Sequence, residues 1–251
     1  MFLSKYKLEI NEEFMIVKSF LENIKSFFSN SQNSIHKARN EIKVINYKNS
    51  DLVVKSFKIP NFINRFIYTF FKSSKAKKSY EYALKISEFT PKPVGFIEFY
   101  KNFLLKDSYF VSEKFDYDFT IREPLLDKDF FQKDDIIKAF AKFTYSLHEA
   151  QIFHLDFSPG NILIKKVDGN FIFKIVDINR MKFLDLDIDL RMKNFAKLWA
   201  KDEDLEIIIK EYAKISSQNE KELIEKALNL SHKHKAKINL KKRLRGQKVV
   251  D

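Results

Sequence analysis

The segment HLDFSPGN, residues 154–161, constrains the fold of this chain more than any other stretch. It places a proline and a glycine, which fix tight turns, between two strongly patterned segments. Before it, an apolar residue recurs every three or four positions, which predicts an amphipathic helix over 134–150. After it, NILIKK and NFIFKIVD flank Asp168 and Gly169, a pair typical of hairpin turns. The sequence therefore predicts a helix, a rigid polar loop and a β-hairpin in succession, and a helical pattern from residue 189 onward.

Three oxygen-bearing side chains are predicted to converge beside this loop. Asp156 and Asn161 lie within it, and Asp177 ends the second strand of the hairpin. Phosphoryl transfer needs a carboxylate that orients an acceptor hydroxyl, and hard oxygen ligands that hold Mg²⁺ on the phosphates. The pattern therefore predicts Asp156 as the catalytic residue and Asn161 and Asp177 as the metal ligands.

The first half of the chain is predicted to contain mainly strands, with one helix. Two β-rich runs flank the turn residues 48–51, which predicts a hairpin. Helix formers without a breaker occupy 74–87 until TPKP ends them, and a second pair of strands is expected over 94–115. In the strand DLVVKSF, the period of two places Val53 and Lys55 on one face.

The composition excludes several classes of protein. With 251 residues, 45% apolar and 15% aromatic, the chain can bury one large core or two lobes and is not disordered. The absence of cysteine excludes disulfides, thiolate nucleophiles and cysteine zinc sites. No signal peptide is expected, because charges interrupt the first apolar stretch, and NFINRFIYTFF is about half of the roughly 20 residues that a membrane span needs. A cytoplasmic protein is therefore expected.

Positive charge is concentrated at the C-terminus, where residues 232–251 contribute +7 of the net +12. Such a run can bind nucleic acid or anionic lipid, or remain a solvated end. No motif that reads nucleic acid accompanies it, so no nucleic-acid partner is expected. A second stretch, 61–78, combines an aromatic face with flanking cations. That face either packs on the small lobe or contacts an anionic membrane surface.

HLDFSPGN followed by IVDIN resembles the catalytic loop and metal-binding aspartate of the protein-kinase-like superfamily, with Leu155 where arginine is usual. Together with LVVKSFKIP and VDINRMKF, these motifs are similar to those of the bacterial lipopolysaccharide core kinases, which phosphorylate heptose or Kdo. The resemblance implies an α+β, bilobal protein-kinase-like fold, with a small antiparallel β-sheet lobe plus one helix and a larger, mainly helical lobe. The implied domains are 1–112 for ATP binding, 113–231 for catalysis and 232–251 as a basic tail.

The resemblance also assigns roles upstream of the loop. Lys55 is expected on the ATP phosphates, and Val53, on the same face, is expected to pack on adenine. Glu81, in the following helix, is the expected ion-pair partner that holds Lys55. Glu88, near the end of that helix, is the rival for this role.

The hinge between the lobes is expected in VSEKF, residues 111–115, where the backbone around Glu113 and Phe115 would bind adenine. His154 is interpreted as a structural residue that bonds the loop backbone, as the histidine of the superfamily does.

Two features depart from the superfamily pattern. No Gly-x-Gly-x-x-Gly occurs, and no glycine precedes Gly95. A loop that covers phosphate would then be built from residues 29–40, in which Lys37 and Arg39 could contact phosphate. Asn179 replaces the glycine of the Asp-Phe-Gly motif, which indicates a fixed rather than a flipping metal loop.

The predicted reaction is transfer of the ATP γ-phosphate, with Mg²⁺, to a sugar hydroxyl of the lipopolysaccharide inner core. The expected partner is a lipid-linked core sugar, reached from the cytoplasm or by peripheral binding to the anionic inner face of the inner membrane. Two alternatives stay open, a kinase of a soluble small molecule or protein, and a pseudokinase scaffold without turnover. The intact Asp156, Asn161 and Asp177 argue against the pseudokinase.

Overall fold

The computed structural model describes residues 6–37, 40–58, 61–247 and 249. The chain divides into two compact units, Met1–Asp116 and Tyr117–Asp251, called unit 1 and unit 2 below. Unit 1 is built on one antiparallel sheet and unit 2 is mainly helical. This arrangement confirms the predicted fold class.

Strands and helices alternate along both units. The strands are β1 (Tyr6–Ile10), β2 (Ser34–Lys37), β3 (Glu41–Tyr47), β4 (Ser50–Phe57), β5 (Pro93–Lys101), β6 (Leu104–Glu113), β7 (Phe119–Thr120), β8 (Ile152–His154), β9 (Ile162–Val167), β10 (Asn170–Ile175) and β11 (Met181–Phe183). The α-helices are α1 (Lys18–Glu22), α2 (Ile24–Asn30), α3 (Phe62–Phe70), α4 (Lys75–Lys85), α5 (Arg122–Leu126), α6 (Lys133–Glu149), α7 (Ile188–Phe195), α8 (Asp202–Ser216) and α9 (Glu220–Leu244). Short 3₁₀ helices lie at Glu12–Val17, Pro159–Asn161 and Ile178–Arg180.

The sheet of unit 1 has the strand order β1-β5-β6-β4-β3-β2, and its neighbouring strands are antiparallel. Two-residue turns close its two hairpins, Lys48 and Asn49 between β3 and β4, and Asn102 and Phe103 between β5 and β6. All four turn residues have left-handed φ values between 49° and 63°. This is type I′ geometry, whose twist matches that of the flanking strands. Both predicted strand pairs of this unit are confirmed.

Unit 1 contains more helix than the sequence pattern predicts. On one face of the sheet, α1 and α2 form a core in which Phe20 packs with Leu52 and Val54 of β4. On the other face, Phe57 of β4 packs with Tyr80 of α4. The helix predicted for this lobe is α4, and α1, α2 and α3 are additional. The side chains of β4 therefore alternate between two helical layers, which fixes the direction in which each one points.

Unit 2 is organised around α6, which buries Ile136, Phe140 and Leu147 as its amphipathic pattern predicts. β8 follows it and pairs with β11, and the hairpin β9–β10 pairs with β7. Asp168 and Gly169 form the hairpin turn with φ values of 48° and 80°, as predicted. The loop of residues 154–161 thus follows a buried helix and strand and leads into a hairpin.

The division between the units lies just beyond the predicted hinge. β6 continues as a sheet strand to Glu113, and the N–H of Lys114 still donates to the carbonyl of Asp51, with an N–O distance of 3.0 Å. These contacts belong to the sheet of unit 1, which extends to Asp116. The domain bounds 1–112 and 113–231 stay a prediction.

The basic C-terminal segment begins inside a helix, because α9 runs to Leu244. Lys235 Nζ donates to the carbonyl of Ala200 at 2.7 Å, and His232 Nε2 lies 2.8 Å from a carboxylate oxygen of Asp202. The first half of the segment predicted as a tail is therefore packed on unit 2.

Within the ranges that the structure describes, no helix is both long and apolar enough to cross a membrane.

Candidate active site

Lys55 lies in the middle of the sheet of unit 1, opposite Ile42 of β3 and Phe110 of β6. Val54 is fully buried towards α1 and α2, whereas Val53 and Lys55 are half-buried on the side that carries α4. The two residues that the resemblance assigns to ATP thus share one face of β4, as the strand period predicts. Because β4 is paired on both sides, the backbone of Lys55 is fixed, and its ammonium group lies 5.5 Å from the centroid of the Phe57 ring.

The predicted hinge segment keeps two of its backbone donors within unit 1. The N–H of Glu113 donates to the carbonyl of Lys92 at 2.9 Å, and the N–H of Lys114 donates to Asp51. Phe115 follows with a half-buried side chain. Contact of this segment with adenine stays a prediction.

Glu81 forms its ion pair with Lys77 of its own helix, with an N–O distance of 3.7 Å, and its side chain is 44% exposed. Lys77 also lies 3.9 Å from Glu9 of β1. In the sheet, β5 and β6 separate β1 from the strand of Lys55. Glu81 is thus paired within its own helix, and its ion pair with Lys55, which the resemblance implies, stays a prediction. Glu88 lies beyond the end of α4, in the turn that leads to β5.

The serine- and asparagine-rich segment predicted to cover phosphate, residues 29–40, contains the end of α2 and strand β2, which pairs with β3. Arg39 and the side chain of Lys37, which could contact phosphate, lie outside the described residues. Lys43 of β3 is a buried cation instead. Its Nζ donates to the carbonyls of Phe28 at 2.7 Å and Ser31 at 2.8 Å, at the C-terminus of α2. The ammonium group donates hydrogen bonds to carbonyls that have no partner within the helix, and in this way it links β3 to the end of α2.

The buried side chain of His154 fixes the backbone of the loop 154–161 in unit 2. Its Nε2 donates to the carbonyl of Val176 at 3.0 Å, and its Nδ1 accepts from the N–H of Asp156 at 3.0 Å. This is the pattern of a neutral imidazole, and burial lowers the pKa of His154 accordingly. Next in the loop, the fully buried Phe157 stacks on Phe140 of α6 at a centroid distance of 5.8 Å. The structural role predicted for His154 is confirmed.

Asp156 has its backbone fixed and its carboxylate partly exposed. Its carbonyl accepts from Asn161 Nδ2 at 2.9 Å and from the N–H of Ser158 at 2.7 Å. One carboxylate oxygen lies 3.6 Å from Arg180 Nη1. A carboxylate that is held by its backbone and reachable from solvent can accept a proton from a hydroxyl placed beside it.

Asn161 and Asp177 are connected through Val176, the residue that precedes Asp177 in the chain. The N–H of Val176 donates to the carbonyl of Asn161 at 2.9 Å, which places Asp177 next to the loop. Asp177 has a left-handed φ of 57°, and its Oδ1 accepts from Asn179 Nδ2 at 2.8 Å. This bond supports the prediction that asparagine in place of glycine fixes the metal loop.

These two residues fit Mg²⁺ as a donor set. Asn161 uses Nδ2 within the loop, which leaves Oδ1 as its atom for a cation, and Asp177 supplies a carboxylate. Mg²⁺ commonly takes one or two protein oxygens and completes its shell with phosphate and water. Across the part of the chain that the structure describes, no cluster of three or more His, Cys, Asp or Glu could hold a metal.

Comparison with known proteins identifies the fold. No protein-family profile matches the chain, and no curated protein matches its sequence. Solved structures do match, and one of them is WaaP in complex with acyl carrier protein. Over 92% of this chain and 97% of that chain, the TM-score is 0.60 and the sequence identity 14%. This chain has the fold of WaaP.

The likeness to WaaP confirms the fold that the resemblance of the motifs implies. In all, 841 chains of solved structures match. A fold with so many representatives hosts many reactions, so function has to be argued from the site.

Cations gather beside Asp156 in unit 2. Arg180 is its ion-pair partner, and Lys197 follows α7. Burial lowers the pKa of Lys197; Asp156 acts against this effect, and the positive charges of Arg180, Lys193 and Lys237 add to it. A carboxylate surrounded in this way lies in a positive local field, which favours an anionic ligand.

A buried network of hydrogen bonds that reaches the loop of residues 154–161 was not predicted from the sequence. Asn194 of α7 donates to the carbonyl of His154 at 2.9 Å, and its Oδ1 lies 3.2 Å from His148 Nε2. The other ring nitrogen of His148 lies 2.9 Å from the hydroxyl of Tyr212, which accepts from Arg191 Nη1 at 3.3 Å. The hydrogen bonds can all run in one direction. Arg191 donates to Tyr212 and Tyr212 to His148. His148 then donates to Asn194, which donates to the carbonyl of His154.

Burial keeps the members of this network in the required protonation states. It lowers the pKa of His148 to about 4 and raises the pKa of Tyr212 to about 12. Nδ1 of neutral His148 can then accept from the tyrosine while Nε2–H donates to Asn194. The sequence contained one weak signal, a histidine among the apolar positions of α6, and its partners on α7 and α8 follow no local spacing.

Proposed function

We propose that this chain transfers the γ-phosphate of ATP to a sugar hydroxyl, of heptose or Kdo, in the lipopolysaccharide inner core. The observation that carries the proposal is the loop of unit 2, where backbone hydrogen bonds tie Asp156, Asn161 and Asp177 into one turn region. The fold shared with WaaP, a kinase of the lipopolysaccharide core, supports this acceptor class.

In the proposed step, the acceptor oxygen bonds to the γ-phosphorus, the bond from that phosphorus to ADP breaks, and the hydroxyl proton passes to Asp156. Asn161 Oδ1 and the carboxylate of Asp177 would hold Mg²⁺, which neutralises phosphate charge when bound. In unit 1, Lys55 would contact the phosphates and Val53 would pack on adenine. The residues already described thus cover orientation, charge neutralisation and proton acceptance.

The hinge groups proposed for adenine are the carbonyl of Glu113 and the backbone of Phe115, because the N–H groups of Glu113 and Lys114 are bonded within unit 1. We leave Glu81 out of the nucleotide contacts, since it pairs with Lys77 at the surface of α4.

The acceptor is proposed to be anionic. Arg180 and Lys197 place positive charge beside Asp156, where the acceptor hydroxyl has to lie. Kdo carries a carboxylate, and a phosphorylated core sugar carries a phosphate. Lys197→Gln should raise the KM for such an acceptor several-fold and leave the KM for ATP unchanged, because a charge–charge contact is typically worth about 1 kcal/mol. Lys201→Gln, an exposed lysine nearby, is the matched control.

The decisive experiment is mass spectrometry of core oligosaccharide from cells with the wild-type gene, without it, and with Asp156→Asn. Loss of one phosphate in the last two strains is expected. Purified protein with delipidated core and ATP should form ADP and phosphorylated core. Unchanged core phosphate together with no ADP formation would leave a scaffold without turnover as the function.

A further inference from the structure

Helix α3 packs on unit 1 with one side only. Arg65 Nε donates to the carbonyl of Leu105 at 2.8 Å, and Thr69 Oγ1 accepts from the N–H of Leu105 at 3.0 Å. The opposite side of the helix and its C-terminal turn expose Phe66 and Phe71, among others, to solvent. The sequence left open whether this face packs on the lobe, and in the structure Phe66, Phe70 and Phe71 of this face are exposed.

A second element adds to the exposed surface. Phe103, in the turn between β5 and β6, lies two residues from Leu105, to which α3 is hydrogen-bonded. We define the aromatic patch as five side chains that are between 48% and 74% exposed, namely Ile63, Phe66, Phe70, Phe71 and Phe103. The ring of Phe66 lies 4.8 Å from that of Phe70, so part of the patch is one continuous apolar surface. Contiguous exposed apolar groups of this kind mark interaction sites.

The sequence that forms α3 and its flanks is strongly basic. From residue 52 to residue 80 the chain contains seven lysines and arginines and no aspartate or glutamate. Lys72 directly follows the patch on α3, and Lys101 flanks Phe103; both are exposed. Lysine is depleted from protein–protein interfaces, whereas aromatic rings bordered by lysine and arginine are typical of surfaces that bind anionic bilayers.

We propose that the aromatic patch docks this protein on an anionic lipid bilayer. The phenyl rings enter the boundary between headgroups and acyl chains, and the bordering lysines meet lipid phosphates. Docking of this kind needs neither nucleotide nor sugar acceptor. Its test is therefore independent of the proposed kinase activity, and either can fail alone.

The first experiment uses the absence of cysteine from the chain, since Phe71→Cys creates a unique labelling site. An environment-sensitive fluorophore at this position should shift to shorter wavelengths on phosphatidylcholine vesicles that contain phosphatidylglycerol. It should respond far less to pure phosphatidylcholine, or at high salt. Ile16→Cys, an equally exposed apolar position in the 3₁₀ helix at the start of unit 1, is the control and should not respond.

The second experiment removes the apolar surface. Phe70→Gln, Phe71→Gln and Phe103→Gln together should weaken sedimentation with anionic vesicles by on the order of a hundredfold, because three rings no longer leave water. The matched control removes three exposed apolar side chains elsewhere in unit 1, through Met15→Gln, Ile16→Gln and Ile35→Gln, and should bind like the wild type. Thermal unfolding by circular dichroism checks that both triple variants fold.

Three results would overturn the proposal. The labels at positions 71 and 16 could respond alike, or the patch variant could sediment like the wild type. In the third, the label at 71 responds to acyl carrier protein, the partner in the WaaP complex, and not to vesicles. That result would make the patch a protein-binding site.

Discussion

Asp156 and Asp177 have different surroundings, and the difference predicts different mutant phenotypes. Asp156 presents a partly exposed carboxylate beside Arg180, whereas Asp177 lies next to Asn161 in the metal loop. Asp156→Asn should lower kcat by at least about a hundredfold and leave the affinity for MgATP unchanged, because only the proton acceptor is lost. Asp177→Asn should weaken MgATP binding itself. Isothermal titration with ATP and Mg²⁺ measures this, and an equal loss of affinity in both variants would refute the assignment.

Lys55 and Glu81 are predicted to act independently. Lys55→Met should weaken ATP binding and lower kcat/KM by about a hundredfold. Glu81→Gln should change both by less than about twofold, because it removes only an exposed pair with Lys77. In a double-mutant cycle on kcat/KM the two effects should multiply. If the double variant is no worse than Lys55→Met while Glu81→Gln alone is severely impaired, the two residues form a pair during catalysis.

At the scale of elements, the buried network between α6, α7 and α8 predicts an acid-sensitive fold. Burial lowers the pKa of His148 to about 4, below the value near 6.5 of an unfolded chain. The unfolded state therefore binds the proton first, so the free energy of unfolding is unaffected by this group above pH 6.5 and falls as the pH drops towards 4. From pH 7 to pH 5 the loss should be about 2 kcal/mol.

Urea unfolding at pH 7 and pH 5 measures this loss. His148→Gln lowers stability at both pH values but should remove the part of the pH dependence that comes from this histidine. The same pH dependence in His148→Gln and the wild type would show that His148 does not titrate on unfolding.

At the scale of the whole molecule, the C-terminal segment is part of unit 2. Besides the bonds of His232 and Lys235, the ring of Trp199 lies 6.1 Å from that of His234 and 5.6 Å from Lys242 Nζ. Deleting 232–251 should therefore lower the melting temperature by several degrees, since a few kcal/mol of packing are lost.

A matched variant separates charge from packing in this segment. Lys233→Gln, Lys241→Gln and Arg243→Gln remove three exposed cations of α9 and leave its packed side in place. This variant should melt within about 2 °C of the wild type, because exposed substitutions change stability little. If deletion and charge variant melt alike, the contacts of α9 with the residues around Trp199 do not stabilise the unit.

Local patterns in the sequence determined much of the fold, and in the candidate site they determined the face of β4 and the loop around Asp156. The period of two in β4 placed Val53 and Lys55 on one face, and the turn chemistry at Asp168 and Gly169 fixed a hairpin. The loop around Asp156 was found because proline, glycine and short polar side chains impose a local geometry. Each of these features depends on residues close together in the chain, so a single sequence is enough to predict it.

The tertiary structure alone decided the features that depend on distant residues. Glu81 has a suitable position along α4, but in the folded chain it pairs with Lys77, which also lies 3.9 Å from Glu9 of β1. His148 interrupts the apolar pattern of α6, and its hydrogen-bond partners Asn194 and Tyr212 lie on two other helices, α7 and α8. The exposure of the aromatic patch likewise depends on which side of α3 finds a partner, and packing rather than local sequence decides that.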